Sequence, residues 1–213
     1  MQDCRNNFAS YWELDKDDYK DAVDWIINRR LRKIDVGRVS YNEGDLRKTR
    51  YFINAMYVGL GARFVWISNG TRRFWGMQWL SYLSSMFLLL FERMLHRIDM
   101  KINGEHIQDT IMTVCIGSAR GYGLTPSAVP YNGWLDVSVV YRPELLQLIK
   151  GLWLLVNGRL LNLKVVKPYR THKVKINRVQ NAAISLDGRQ LYYDESSLDV
   201  RILPEALTLI IPK

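Results

Sequence analysis

The sequence has few of the residues that cross-link a small fold or bind a metal. Its 213 residues include 2 cysteines, Cys4 and Cys115, and 3 histidines. The cysteines lie far apart and form no CxxC pair, and the histidines show no metal-ligand spacing. This pattern argues against a disulfide scaffold and a structural zinc site, and it favours a reducing compartment.

Long apolar runs and a secretory leader are also missing. The most hydrophobic run, Met86 to Phe91, is far shorter than the roughly 20 residues that span a membrane. Residues 1–7 are polar and contain no apolar segment of the kind that a signal peptide needs. We therefore expect a cytoplasmic protein without a membrane-spanning helix.

Several common catalytic motifs are absent as well. The chain contains no P-loop GxxxxGK[ST], no GxGxxG after a strand, no HExxH and no GxSxG. It does contain 48% hydrophobic and 12% aromatic residues, a composition that suits a packed globular core.

Acidic residues are scarce in two parts of the chain. The net charge is +9, and residues 159–178 contain seven lysines and arginines but no acid. A basic field of this kind attracts the phosphates of lipid headgroups or nucleic acids, and the alternative is an ordinary solvated face. The cations that we expect to meet anionic headgroups are Lys164, Lys167, Arg170, Lys173 and Lys175.

Three segments have the spacing of amphipathic helices. Residues 16–32 place Tyr19, Ala22, Val23, Ile26 and Ile27 on one apolar face. Acidic residues crowd the start of this segment and arginines its end, which suits the helix dipole. The other two predicted helices run from Trp75 to Arg97 and from Leu145 to Val156.

Most of the remaining chain alternates with the period of strands. Asn103-Gly104 and Asp187-Gly188 are strong hairpin signals. Many strands with inserted helices predict an α+β fold with a β-sandwich-like or barrel-like domain. The predicted strands are one around Ile34 to Val39, then Arg50–Ala55, Ile98–Ile102, Ile111–Ile116, Leu135–Tyr141, Lys173–Asn177, Ala183–Leu186, Gln190–Tyr193 and Leu198–Ile202.

An ordered set of segments resembles the bacterial diacylglycerol kinase and lipid kinase family, which includes the sphingosine kinases. Each segment alone is weak evidence, but together they follow the family order over nearly the whole chain. The segments are Asn6–Trp12, Ile34–Val39, Tyr51–Ala55 followed by Gly59–Ala62, Gly121–Ala128, Asn132–Val137, Leu186–Arg189 and Pro204–Leu207.

The resemblance implies a division of the chain into three parts. Residues 1–32 would be a remnant of the N-terminal α/β nucleotide-binding domain, with much of their apolar face unpaired. Residues 33–203 would form the β-rich lipid domain, and residues 204–213 a strand that returns toward the N-terminal domain. The family's GGDGT loop, which binds ATP and Mg²⁺, is absent from the sequence. We therefore expect a C-terminal portion that is inactive alone.

The resemblance also assigns site residues. Asp187 matches an aspartate proposed as the general base, although Asp-Gly is equally the preferred type I′ turn. Arg189 stands where the family has glutamate. Asn132 replaces an aspartate that helps to hold a structural Mg²⁺ and is a weaker ligand. Asn6 and Asn7 match nucleotide-side contacts, but two asparagines are also an ordinary helix start.

The leading functional hypothesis is an ATP-dependent lipid kinase that works on the inner face of an anionic membrane. It implies a lipid substrate and no nucleic acid partner. It leaves open whether the chain forms a homodimer. A second hypothesis is a non-catalytic lipid- or membrane-binding module, or a degenerate kinase. A third is a nucleic-acid-binding β-domain, against which stands the lack of an RRM-type motif of aromatic and basic residues.

Overall fold

The computed structural model describes residues 8, 11, 12, 19–63, 95–120, 124–156, 159–193 and 197–211. The elements with both ends in these ranges are two α-helices, one 3₁₀ helix and eleven strands. They are α1 (Tyr19–Asn28), β1 (Leu31–Glu43), β2 (Leu46–Phe52), β3 (Ala55–Gly59), β4 (His96–Ile102), β5 (Glu105–Gly117), β6 (Leu135–Tyr141), α2 (Leu145–Val156), the 3₁₀ helix (Leu160–Asn162), β7 (Val166–Thr171), β8 (Lys173–Val179), β9 (Ile184–Leu186), β10 (Arg189–Leu191) and β11 (Leu198–Ile210).

All eleven strands join one curled, sandwich-like sheet. Its main path is β10-β9-β3-β5-β4-β8-β11-β1-β2, with β6 paired to β5 and β7 paired to β6. Every pair is antiparallel. The sheet encloses the main hydrophobic core, which includes Met56, Ile98, Ile111, Ile176 and Val200. Burial of this apolar surface is the main force that holds the curled sheet together.

The β-rich, sandwich-like part of the predicted fold is confirmed, and several elements match their predicted bounds. Strand β6 and helix α2 have the limits that the sequence pattern predicts. Asn103-Gly104 and Asp187-Gly188 form tight turns with positive φ at both residues. The α+β label is not confirmed, because antiparallel strands make up most of the described chain.

The long helix predicted over Trp75–Arg97 falls largely on residues 64–94, which lie outside the described ranges. At its C-terminal end the prediction is wrong, because His96 and Arg97 are the first residues of β4. His96 pairs with Ile111 and Arg97 with Thr110 of β5. The pairing with β5 therefore outweighs the helical spacing at this end of the segment.

Helix α1 confirms a predicted helix, and its apolar face is largely exposed in this chain. Val23, Ile26 and Ile27 are 55%, 58% and 69% exposed. The helix ends at Asn28, before Arg29 with φ of 46°, and β1 begins at Leu31 instead of after Arg32. The division of the chain at residues 32 and 203 stays a prediction. Within the described ranges no helix is long and apolar enough to cross a membrane.

Two other strand predictions differ from the structure. The segment Arg50–Ala55 is not one strand, because β2 ends at Phe52 and β3 starts at Ala55. Strand β7 was not predicted, since its inner segment is Lys167-Pro168-Tyr169-Arg170 and it pairs only with β6. Proline and charged residues are typical of such edge strands, where one side of the backbone needs no strand partner.

Candidate active site

The hairpin between β9 and β10 places Asp187 at its tip. Asp187 has φ of 46° and Gly188 has φ of 84°, the left-handed pair that a two-residue type I′ turn requires. Leu186 and Arg189 face each other directly before and after the turn. The turn predicted from Asp-Gly is therefore confirmed.

The Asp187 side chain also attaches this hairpin to the break between β2 and β3. Its Oδ2 accepts a hydrogen bond from the Ile53 N–H at 2.7 Å. Its Oδ1 accepts bonds from the N–H groups of Asn54 at 2.9 Å and Ala55 at 3.0 Å. The Asp187 N–H in turn donates to the Ala55 carbonyl at 3.0 Å. This clamp explains why residues 50–55 cannot continue as one strand.

The environment of the Asp187 carboxyl suits a group that accepts a proton. Desolvation by the surrounding chain raises the pKa of Asp187 above its usual value, and the three backbone N–H bonds oppose that rise. An ionised carboxylate offers about four lone-pair positions, and the N–H bonds occupy three of them. One position therefore remains for a further donor, such as a hydroxyl group.

Arg189 lies on β10, two residues beyond Asp187, and its residue is exposed. It forms no side-chain hydrogen bond or ion pair with another residue of the described ranges. A free guanidinium close to the hairpin tip can bind a phosphate, although the family resemblance has a glutamate at this position.

A cavity of about 190 Å³ lies beside the same hairpin. Ser185, a residue only 2% exposed, is one of its lining residues, and the Ser185 hydroxyl is buried without a hydrogen-bond partner among the described residues. A buried hydroxyl without a partner is costly to the fold. The other lining residues are Ala62, Arg63, Ala183, Ile184 and Gln190.

Asn132 belongs to a different turn, before β6. Its Oδ1 accepts a hydrogen bond from the Trp134 N–H at 2.9 Å. The nearby Asp136 carboxylate is held by Arg170, through Nε at 2.7 Å and Nη2 at 3.3 Å. The described residues contain no group of three histidine, cysteine or acidic side chains that could hold a metal. A neutral oxygen already in use is a poor ligand for Mg²⁺, and the donors at this turn do not fit the ion.

Asp35 is a buried acid that the sequence reading did not single out as a site residue. It is 1% exposed, and its two oxygens accept hydrogen bonds from Gly133 N–H at 2.6 Å and Glu205 N–H at 3.0 Å. The carboxylate thus joins β1, β11 and the turn of Asn132. The sequence feature that indicates a buried role for Asp35 is its position between the apolar residues Ile34 and Val36 of a predicted strand.

Asn6 and Asn7 lie outside the described residues, but later members of their segment contact the Asn132 turn. The hydroxyl groups of Tyr11 and Tyr131 are 3.0 Å apart, and desolvation raises the pKa of Tyr11 to about 12. The guanidinium of Arg32 lies 4.0 Å from the centre of the Tyr131 ring. The structure thus brings this segment to Asn132, whereas Asp187 contacts the turn at residues 53–55.

Comparison with known proteins agrees with this fold. The family described as the YegS C-terminal NAD kinase beta sandwich-like domain matches residues 54–211. Diacylglycerol kinase of Bacillus subtilis (strain 168) is 23% identical over 187 residues, covering 86% of this chain and 59% of that protein.

Solved structures show the same fold at low sequence identity. A diacylglycerol kinase structure from Bacillus anthracis strain Sterne is 13% identical with a TM-score of 0.61, and the match covers 97% of this chain and 63% of that one. Yeast NADH kinase matches at 12% identity and a TM-score of 0.51, over 90% of this chain and 47% of the other.

The fold is a β-sandwich domain of the kind that the matching NAD kinase-like family model describes. Because the family match covers most of the sequence, the chain belongs to the YegS C-terminal family, and its resemblance to the diacylglycerol kinases is confirmed. It spans 59% of the length of its Bacillus subtilis relative.

Proposed function

We propose that this chain is the substrate-side domain of an ATP-dependent lipid kinase of the diacylglycerol kinase type, and that it is inactive without a nucleotide-binding domain. The observation that carries the proposal is the Asp187 carboxylate, held by three backbone N–H groups at a hairpin tip with one acceptor position left. The family membership gives that carboxylate its chemical context.

In this proposal Asp187 accepts the proton of a lipid hydroxyl while the hydroxyl oxygen attacks phosphorus. Bound ATP with Mg²⁺ supplies the phosphoryl group, and ADP leaves. The N–H groups of residues 53–55 fix the direction of the carboxylate, which is the positioning that phosphoryl transfer needs. A pKa above the usual aspartate value makes the carboxylate a better general base near neutral pH.

The cavity beside the hairpin supports a substrate with a polar and an apolar part. Gln190 offers a polar side chain, whereas Ala62 and Ala183 offer apolar walls. This combination suits the region of a lipid where its hydroxyl and ester groups meet the acyl chains. We place the reaction at the cytoplasmic face of a membrane, where such a lipid is found.

The base is tested with Asp187→Asn in the protein as its gene encodes it, including any sequence before residue 1. We expect phosphoryl transfer from ATP to diacylglycerol vesicles to fall by about 10² to 10⁴-fold, the usual contribution of a general base. The rate of the variant should also lose the rise with pH that deprotonation of Asp187 causes. The matched control is Asp45→Asn, at the exposed turn between β1 and β2.

The structural role of Asp187 must be separated from its catalytic role. Loss of the carboxylate also weakens the clamp on residues 53–55, so the melting temperature and circular dichroism are measured alongside the rate. A fully folded variant with unchanged turnover would remove Asp187 from the mechanism. A rate loss that merely follows the unfolded fraction would do the same.

The second candidate function is a non-catalytic lipid-binding module or degenerate kinase. It is favoured by Arg189, a cation without a described partner where related kinases carry glutamate, and by the engaged Asn132 oxygen. Lipid binding without turnover in the wild type, and no gain of turnover in Arg189→Glu, would favour the module. Turnover by the wild type would exclude it.

A further inference from the structure

The basic residues predicted to meet headgroups do not act as one free patch. Lys167 pairs with Glu105 at 2.7 Å, and Arg170 pairs with Asp136 at 2.7 Å. Lys173 pairs with Asp199 at 3.0 Å. Of the five predicted cations, Lys164 and Lys175 alone make no ion pair with a described residue. Cations without an ion pair to a described residue are grouped differently, on adjacent strands of the sheet.

A basic patch lies instead on the exposed side of β4, β8, β11 and β1, and we call it the basic face. The burial alternation of β4 and β8 turns Val174 and Ile176 inward and their neighbours outward. Register then aligns the outward residues across strands, with Lys101 beside Lys175 and Arg201 beside both Lys173 and Arg38. The cations of the basic face are Arg38, Lys101, Lys173, Lys175, Arg178 and Arg201.

The two carboxylates of the basic face are both occupied. Asp199 accepts hydrogen bonds from Arg201 at 2.6 Å and forms an ion pair with Lys173 at 3.0 Å. Asp99 accepts from Asn177 at 2.6 Å and is 2.9 Å from the His106 ring nitrogen. Register sets Asp199 opposite Lys175 and Asp99 opposite Arg178, so these acids reduce the local charge although they make no direct contact with either cation.

Four cations of the basic face are left without a hydrogen bond or ion pair among the described residues: Arg38, Lys101, Lys175 and Arg178. Neighbouring strands are about 4.8 Å apart, so the face is roughly 15 Å wide across its four strands. Arg38 faces Arg201 and Lys101 faces Lys175, and like charges at this spacing repel one another in the free protein. A partner with many negative charges would relieve that repulsion.

We propose that the basic face binds the surface of an anionic phospholipid bilayer. The cations are spread over a broad sheet surface, which suits a layer of headgroups better than a single strand in a groove. Single-stranded nucleic acid binding also relies on aromatic rings that stack on bases, and the outward positions of β4, β8 and β11 hold none.

The test is equilibrium binding of the 213-residue chain to vesicles without nucleotide, so that it does not depend on catalysis. We expect binding to vesicles that contain phosphatidylglycerol, weakening with salt, and little binding to phosphatidylcholine alone. The double variant Arg38→Gln with Lys175→Gln should bind about 25-fold more weakly, since each cation near an anionic membrane contributes about fivefold. The charge-preserving pair Arg38→Lys with Lys175→Arg should bind as the wild type does.

The matched control removes two exposed cations elsewhere, with Arg142→Gln and Lys150→Gln. It should change vesicle binding by less than about twofold if the contact is local. Equal losses in both double variants, or no binding to phosphatidylglycerol, would overturn the proposal. So would tighter binding to oligonucleotides of matched charge concentration, or a dimer in sedimentation that the face variant dissociates.

Discussion

Gly59 belongs to a weak sequence motif, and the structure gives a physical reason for a glycine at this position. It ends β3 with φ of 84°, and a Cβ there would lie 2.7 Å from the Met112 carbonyl oxygen and 2.9 Å from His96 Cδ2. The sequence marked this glycine through the resemblance alone. Both the left-handed backbone and the close strand crossing require a residue without a side chain.

We expect Gly59→Ala to lower the free energy of unfolding by about 2 to 4 kcal/mol, from left-handed backbone strain and crowding together. The control is Gly44→Ala, which has φ of 59° but nothing within 4 Å of its Cβ. It should lose only about 1 kcal/mol, because strain acts there alone. Urea denaturation measures both, and equal losses would show that the space around Gly59 adjusts freely.

At the residue scale, Asp187 has one feature that a local sequence pattern predicts, its turn, and one that it does not predict, its long-range hydrogen bonds. The Asp-Gly pair was sufficient to predict the turn, because only the backbone conformation of two residues was needed. The clamp on Ile53, Asn54 and Ala55 involves residues more than 130 positions away. No local pattern contains that contact, and its catalytic use stays a prediction.

At the scale of elements, prediction succeeded where apolar residues recur at regular positions in the sequence and failed where a strand lies at an edge or bends. Strands β6 and β8 have regular apolar positions, and they were identified. Strand β7 has two buried residues at its ends and charges between, so period two is lost. Strands β2 and β3 are divided by the contact with Asp187, which lies elsewhere in the chain.

The pairing of β8 with β11 predicts a pH dependence of stability. Hydrogen bonds from Arg201 first, and also the contact with Lys173, lower the pKa of Asp199. An acid whose folded pKa is lowered stabilises the protein above its unfolded pKa of about 3.9. That stabilisation is lost as the pH falls through the lower, folded value.

We therefore expect Asp199→Asn to lower the free energy of unfolding by up to about 1 kcal/mol at neutral pH. The difference from the wild type should shrink as the pH falls through the folded pKa of Asp199, as followed by urea denaturation at a series of pH values. Asp24→Asn, on the exposed side of α1, is the control and should have little effect at any pH. A difference that persists unchanged in acid would assign the effect to packing.

At the scale of the whole molecule, long-range pairing builds the sheet. Strand β1, near the start of the chain, pairs with β11 at its end, from Leu31 opposite Ile210 to Ser40 opposite Asp199. The central strand β5 pairs with β3, β4 and β6. Such a sheet opens as a unit, because no central strand can leave without breaking pairs on both sides.

Chemical modification of Cys115, which lies on β5, measures how often the sheet opens. It is fully buried, and burial raises the pKa of its thiol to about 12. In a Cys4→Ser background we expect a thiol reagent to modify the native protein only through unfolding, and Gly59→Ala to accelerate the reaction. Denaturing urea provides the fast reference rate. Rapid modification of the native protein, independent of stability, would show that β5 opens locally.

The sequence by itself determined the β-rich class, the tight turns and the family resemblance, because these depend on local periodicity, turn residues and ordered short motifs. Tertiary structure alone decided the strand order, the burial of Asp35 and the pairing of the basic residues. These depend on which distant segments come together across the sheet. For the same reason the basic face became visible only after Arg38, Lys175 and Arg201 lay on adjacent strands.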